Sequence, residues 1–519
     1  MRQSLSWLAM GALMLSSVPQ SGCVDDPTDP KTWIKKLGDP REGKEALSQL
    51  VKLKNPAAVP PLLELYKKNK DLEVLKAIGS FKDKAAVPVL IEALDYSEEN
   101  YEQAATAATA LGEIDDNSSA VPLSVTLAKP LSIKTRANVV KLEAMKALVK
   151  IHKKSPPAKA DADKVVDALI KLLETSADDQ DFALNQVSAT TLAEYADPRS
   201  APALIRGLFM TGRGTDIFQP CRIALLNIGQ AGVKAIIEAH QRKFAKLEAD
   251  AKKYEFSDLG KIEQKTALIL GDLRAKEAVP VLLGELKKPK KGDNHTGALY
   301  ALGMIADKAT TKDIVAVLTD GKRDYQVRTS AAEALNLAQD TSALPALLNV
   351  AKTGDVVKEG QKYADVRLAA GMAYSRLGGA AEADAFAPVY AAEKAKAEGA
   401  KEQFAEYAMR LEVAKKCNRD SACYITALDD KDLAKQEKAA FMLGTFDKSV
   451  LPALTKKVSS KEPVVRIAVL FSIGKLADKT ATDVKKAIEA QIELDRTKPQ
   501  PFRLLVEEMR ATLAMIGGK

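Results

Sequence analysis

Asp83-Lys84-Ala85-Ala86-Val87-Pro88-Val89-Leu90 recurs in variant form along this chain, and its reading decides the fold. Versions of its centre stand at Ala57-Ala58-Val59-Pro60, Ala120-Val121-Pro122, Ala278-Val279-Pro280, Ala343-Leu344-Pro345 and Val450-Leu451-Pro452. A second element alternates with it, a run of small apolar residues ending in glycine: Ala107 to Gly112, Ala267 to Gly271, Ala298 to Gly303 and Ala439 to Gly444. Around both, apolar residues return at helical spacing over windows of about 10 to 18 residues. Proline fits the first turn of a helix, where its missing N–H would have no partner. An aspartate just before, such as Asp83 or Asp197, can accept from the open N–H groups there. The glycine is expected in the left-handed conformation that closes the first helix of each unit. Each unit then reads helix, tight turn, helix, and its alanines let neighbouring helices approach closely.

Working outward, the 519 residues are 46% hydrophobic but only 5% aromatic, because Ala, Leu and Val supply the apolar surface. With Lys and Glu prominent, the composition favours helix throughout. The formal net charge of +8 is a mild excess spread over the whole length. Its densest run, Lys287-Lys288-Pro289-Lys290-Lys291, reads as a solvated loop and not as an anion site.

The two elements carry a resemblance. Asp-x-x-Ala-Val-Pro-x-Leu at Asp83 to Leu90, and Val-Arg-x-x-Ala-Ala-x-x-Leu at Val327-Arg328 through Leu335, are signatures of the HEAT-like repeats first noticed in phycobilisome lyase subunits. The second signature also begins at Val366-Arg367 and matches in part at Val465-Arg466-Ile467-Ala468. Units of about 30 to 45 residues give roughly a dozen copies from residue 31 to 519. The resemblance implies an all-α fold, an α-solenoid wound as a right-handed superhelix, with one continuous core and an extended concave face suited to gripping other proteins. Ala231 to Tyr254 reads as an overlong second helix, and Ala380 to Met409 as a second irregular unit. Gln500 to Ile516 reads as an amphipathic helix capping the array.

Residues 1–22 read as an export signal: Arg2, an apolar run from Leu5 to Leu15 too short to span a bilayer, then small residues. Gln20-Ser21-Gly22-Cys23 resembles a bacterial lipobox, with Gln20 standing where that motif has an aliphatic residue. The resemblance implies cleavage before Cys23, acylation of its thiol, and a lipid anchor strong enough to hold the chain on a membrane. Residues 23–30, polar and Pro-broken, form a tether reaching at most about 25 Å. Val24 in place of Asp after the lipidated Cys points to the outer membrane, facing the periplasm.

No residue set argues for catalysis, a cofactor or a metal. His152, His240 and His295 share no motif and lack the His-Glu pairs with which hydroxylases of the deoxyhypusine type hold a di-iron centre. Cys417 and Cys423 flank an inter-helix turn and are expected to form a disulfide in an oxidising compartment, and Cys221 to be a buried small side chain. Zinc spacing is absent around them. Thr211-Gly212-Arg213-Gly214-Thr215 lacks the Lys-Ser/Thr of a phosphate loop, and Asp178-Asp179-Gln180-Asp181 reads as a helix cap. Past the leader only Trp33 remains as a tryptophan, and export would remove the chain from the genome, so nucleic acid is not expected as a partner. The expected function is a non-catalytic scaffold or adaptor of the bacterial cell envelope that binds other proteins. The competing readings are an accessory, lyase-like enzyme subunit, which calls for a buried polar cluster with displaced pKa values, and an envelope assembly factor.

Overall fold

The computed structural model describes residues 26–176, 179–212, 214–256, 260–287, 295–354, 356–359, 362–396 and 399–517. The leader, Cys23, most of the lysine-rich run after Lys287, Asp178 and Arg213 lie outside these.

The chain is an all-α solenoid of HEAT-like helix pairs, and one pair shows why the sequence builds it. Helix Leu72–Phe81 ends at Lys82, whose φ of 53° turns the chain. The Asp83 side chain then accepts from the Ala85 N–H at 2.9 Å and sets a short 3-10 turn, Lys84–Ala86. Helix Val87–Glu92 follows, with Pro88 in its first turn. The same device recurs at Asp116, Asp197, Asp307, Asp340 and Asp447, each accepting from the N–H two residues on.

The glycines do something other than the sequence suggests. Gly112, Gly271 and Gly303 sit inside their helices, and Gly444 has an ordinary helical φ of −64°. The left-handed closing positions fall instead to Lys82, Asp115, Arg274 and Ala306. What the glycines provide is close approach between stacked helices. A Cβ on Gly112 would stand 2.7 Å from Ala147 Cα, and one on Gly303 would stand 2.7 Å from Ala334 O and 2.8 Å from its Cα. Gly303→Ala is therefore expected to destabilise. Forcing a methyl into a backbone contact costs about 1–3 kcal/mol, which outweighs the gain in helix propensity of about 1 kcal/mol. Gly284→Ala, on helix Val279–Leu286 with nothing within 4 Å of the new methyl, is expected to stabilise. Urea denaturation of both variants checks the pair, and equal signs would refute it.

Arginines of the Val-Arg-x-x-Ala element are buried and bonded. Arg328 donates to Leu318 O at 3.0 Å, and Arg367 pairs with Asp365 and Glu393. Arg466 pairs with Asp495 at 2.5 Å. Arg222 and Arg410, in related positions, pair with Asp272 and Glu437.

The irregular stretches also differ from expectation. Ala231 to Tyr254 is not one helix: Val233–His240 stops and Ala245–Lys253 restarts. The chain turns at Arg242, φ 62°, whose guanidinium bonds Glu248. Ala380 to Met409 holds helix Ala380–Lys394 and most of Lys401–Cys417, joined where buried Glu393 accepts from the Ala400 N–H at 3.0 Å. Two short antiparallel hairpins interrupt the helices, Thr211–Gly212 with Thr215–Asp216 and Val356–Glu359 with Lys362–Asp365.

The array does not stay open along its length. From Phe218–Ile228 onward, the first helices of the units are Lys261–Asp272, Thr296–Ile305, Tyr325–Ala338, Val366–Leu377, Lys401–Cys417, Leu433–Leu443, Pro463–Leu476 and Phe502–Gly517, each packed on the next. Helix Phe502–Gly517 then packs back on Phe218–Ile228, and Glu508 pairs with Arg222 at 3.2 Å. The series is thus a closed ring, preceded by an open arm of helix pairs up to residue 217.

The core does not divide where arm and ring meet. One cluster runs from Leu50 to Leu411 and includes Ala511 and Ala514; a second runs from Val413 to Ile516. A small third cluster gathers Tyr96, Ala104, Ala105, Ala137 and Val140. The expected single continuous core is interrupted in helix Lys401–Cys417, where the buried polar groups Arg410, Glu437 and Lys438 stand between the two main clusters.

Candidate functional site

Side chains bond to one another across and along the face that the ring turns inward. Lys475 reaches across to the Gln339 carboxamide. Glu437, almost fully buried, is shared by Arg376 and Arg410. Lys438 donates to the main-chain oxygens of Arg376 and Gly378 at the end of helix Val366–Leu377. Arg222 and Tyr300 occupy the two oxygens of Asp272 at 2.8 Å each, beside a cavity of about 190 Å³ lined by Leu226, Arg274 and Met515. These groups form separate buried polar clusters of the kind an enzyme reading calls for. Most of their polar atoms bond one another or helix ends. Arg376 Nε and Arg410 Nη1 are buried without a hydrogen-bond partner among the described residues, and Lys475 and Lys438 act as struts between units that are not neighbours in the series.

Burial and the neighbouring Arg410 push the Lys438 amine down to about 7 from an ordinary 10.5. Between these values the folded chain carries neutral Lys438 while the unfolded chain stays protonated. Folding then releases a proton, and stability rises with pH across this window, by at most about 1.4 kcal/mol per unit. Relative to Lys438→Met, the wild type is expected to gain stability from pH 7 to 9.5 and to hold a constant difference below pH 6.5. Urea melts of both proteins across this range test it; a flat difference throughout would exclude a displaced amine.

The arm offers a different surface. On the continuation of the ring's inner face lie helices Leu72–Phe81, Tyr101–Ile114, Lys134–Lys154 and Phe182–Tyr195. Their small residues pack the helices together: Gly79 faces Ala110, and Gly112 faces Ala147. A shallow groove of about 360 Å³ results, floored by Met145, Val149, Val187 and Thr191 and edged by Lys146 and Lys150.

Charges on this face are layered. Glu113 lies between Lys150 and Lys82, whose hydrogen bonds hold its carboxyl down at about 2. Glu143 accepts from Lys146 at 2.6 Å and from Thr109 at 3.1 Å. Lys153 covers Glu194, and Lys154 covers Asp115. In each pair the ammonium is the more exposed partner: Lys146 at 63% over Glu143 at 27%, and Lys154 at 67% over Asp115 at 16%. The groove therefore presents an apolar floor under an ammonium rim.

The residues singled out in the sequence are scattered. Cys23 lies outside the described residues. Cys417 and Cys423 are bonded, with Cα atoms 5.2 Å apart, and pin helix Lys401–Cys417 to Ser421–Ala427. Cys221 is buried against Gly207. His152 stacks on Tyr195, His240 bonds Thr266 and stands 3.0 Å from a Glu285 carboxylate oxygen, and His295 bonds Arg323. Among the described residues, no three His, Cys, Asp or Glu side chains stand together as a metal site, and no helix is long and apolar enough to cross a membrane. The lysine layer escaped the sequence reading. Its only local signal is Lys146, Lys150 and Lys153-Lys154 on one helix face, and the carboxylates beneath several of them come from neighbouring units.

The sequence profile of the PBS lyase HEAT-like repeat matches residues 72–96. Comparison with curated protein sequences gives no match. Among solved structures, human deoxyhypusine hydroxylase in complex with glycerol is similar at 18% identity, over 60% of this chain and 96% of its own, with a TM-score of 0.22. Kap121p bound to Pho4p is similar at 12% identity, over 94% of this chain and 51% of its own, with a TM-score of 0.44. Importin beta follows at 12% identity, over 94% and 78%, with a TM-score of 0.38. This chain thus spans about half the length of the Kap121p structure.

Proposed function

We propose that this HEAT-like repeat protein is a non-catalytic scaffold of the bacterial cell envelope, held to a membrane by lipid on Cys23 and binding other proteins. The observation that carries the binding role is the open inner face of the arm, apolar beneath and charged at its rim, in a chain whose ring is crossed by its own Lys475–Gln339 contact. Export is supported by the leader and by the lipobox-like Gln20-Ser21-Gly22-Cys23, and the Cys417–Cys423 disulfide suits an oxidising compartment. Anchoring would confine the scaffold to two dimensions and raise its effective concentration near membrane-bound partners.

In-cell crosslinking and pull-down of the tagged chain, compared with Cys23→Ala, tests the reading. A discrete partner set held by the native chain and lost from the variant is expected. Capture of nothing by either form would end the scaffold reading, and an unacylated Cys23 in the mature protein would end the anchor.

A further inference from the structure

The scaffold reading points to the arm and leaves open the chemistry of the partner, which the layering of charge on that face supplies. We propose that the inner face of helices Leu72–Phe81, Tyr101–Ile114, Lys134–Lys154 and Phe182–Tyr195 docks an acidic, amphipathic segment of a partner protein, apolar side chains in the groove and carboxylates on the lysine rim. The inference rests on the scaffold reading and narrows it to one face and one partner chemistry.

Charge complementarity carries the argument. Lys82, Lys146, Lys150, Lys153 and Lys154 form the outer layer, with side chains 44–67% exposed. Their carboxylates, Glu113, Asp115, Glu143 and Glu194, lie beneath at 16–35%. An approaching segment meets ammonium groups first, at a distance where each lysine keeps free N–H donors beyond its one intramolecular bond. The carboxylates fix the lysines in place and lower the ordering cost of recruiting them. Between the lysines, Val149 and Val187 give a floor that an apolar side chain can cover. A purely polar polyanion would leave that floor wet, which favours an amphipathic segment over a nucleic acid strand. On the ring, Lys475 and Arg376 are already met by Gln339 and Glu437, so the arm is where this face stays open to another molecule.

The test uses the full-length protein and synthetic peptides. The first carries Leu on one helical face and Glu on the other; the second replaces Glu by Lys; the third scrambles the first. Fluorescence anisotropy should show the Glu peptide binding at least tenfold more tightly than either control. In Lys146→Glu/Lys153→Glu, whose substituted side chains are exposed, the preference should shift to the Lys peptide. In Val149→Asp the Glu peptide should weaken at least tenfold, circular dichroism confirming the fold of both variants. Equal binding of the Glu and scrambled peptides, or binding unchanged in the variants, overturns the proposal. So does tighter binding to phosphatidylglycerol vesicles than to the Glu peptide, which would make this face a membrane contact. A photocrosslinker at Thr190 in the groove or at Lys171 on helix Lys159–Glu174 separates this proposal from the scaffold reading. Partners trapped only from Lys171 sink the docking face and leave the scaffold standing, whereas none from either position sinks both.

Discussion

Arg466→Ala is expected to lower the unfolding free energy by about 3–5 kcal/mol, the loss seen when one member of a buried ion pair is removed. Arg466 is 1% exposed and Asp495 0%, and the guanidinium meets the carboxylate at 2.5 Å. Burial raises the Asp495 pKa, but the bonds from Lys498, Gln491 and Arg466 outweigh it and hold the carboxyl below its usual range. The group is therefore ionised at neutral pH, and alanine at 466 would leave that charge inside the fold with Lys498, at 2.8 Å, as its remaining cation. Arg496→Ala is the control. Arg496 and Glu493 are 60% and 63% exposed, and water screens such a pair to well under about 1 kcal/mol. Urea denaturation should show a large loss for the first variant and almost none for the second. Similar losses for both would mean that Arg466 contributes only its packing against the ring of Phe502.

What the sequence revealed and what it hid follow from the range of each interaction. Asp83 caps a turn two residues away and Pro88 acts within its own turn, so both were readable from a single copy and reinforced by the others. The Val-Arg-x-x-Ala element marked Arg466 and Arg367 as special, and Asp365 stands two residues before Arg367, but the carboxylates of Asp495 and Glu393 come from 29 and 26 residues on. No periodic pattern points to those partners. Gly303 was misread for a related reason. A glycine near a helix end suggests a left-handed cap, while its true constraint, Ala334 on the next helix, is invisible in a local window. The break after His240 was missed because Arg242 takes a positive φ without being glycine, held there by Glu248. The candidate docking face was hidden because layering is a property of depth. Lys150 and Glu113 stand 37 residues apart, and which one lies outermost depends on how two units stack.

Ring closure is the feature least legible in the sequence, and Ala511→Glu is expected to undo it. Helix Phe502–Gly517 has two apolar faces with different clients. Val506, Met509 and Ile516 belong to the core of the last units, while Ala511 and Ala514 enter the cluster that contains Ala224, Leu225 and Ile228 of helix Phe218–Ile228. A carboxylate at position 511, now 0% exposed, would need a partner that the apolar contact does not supply, at a cost of several kcal/mol. Separating the two helices relieves that cost, and the contact to be surrendered is modest: two alanines, Met515 against the same cluster, and the half-exposed Glu508 on Arg222. In a solenoid each unit draws its stability from its immediate neighbours, so the units should remain helical while the ring opens. Small-angle scattering should show a larger maximum dimension with circular dichroism unchanged, and amide exchange should speed up in residues 218–228. A variant that unfolds as a whole would instead mean that the closing contact is part of the cooperative core. An unchanged dimension would mean that the struts across the ring, Lys475 to Gln339 and Lys438 to the end of helix Val366–Leu377, hold it shut without the clasp. The strut variant Lys438→Met combined with Ala511→Glu separates these cases, because only a ring held by both contacts opens when both are lost.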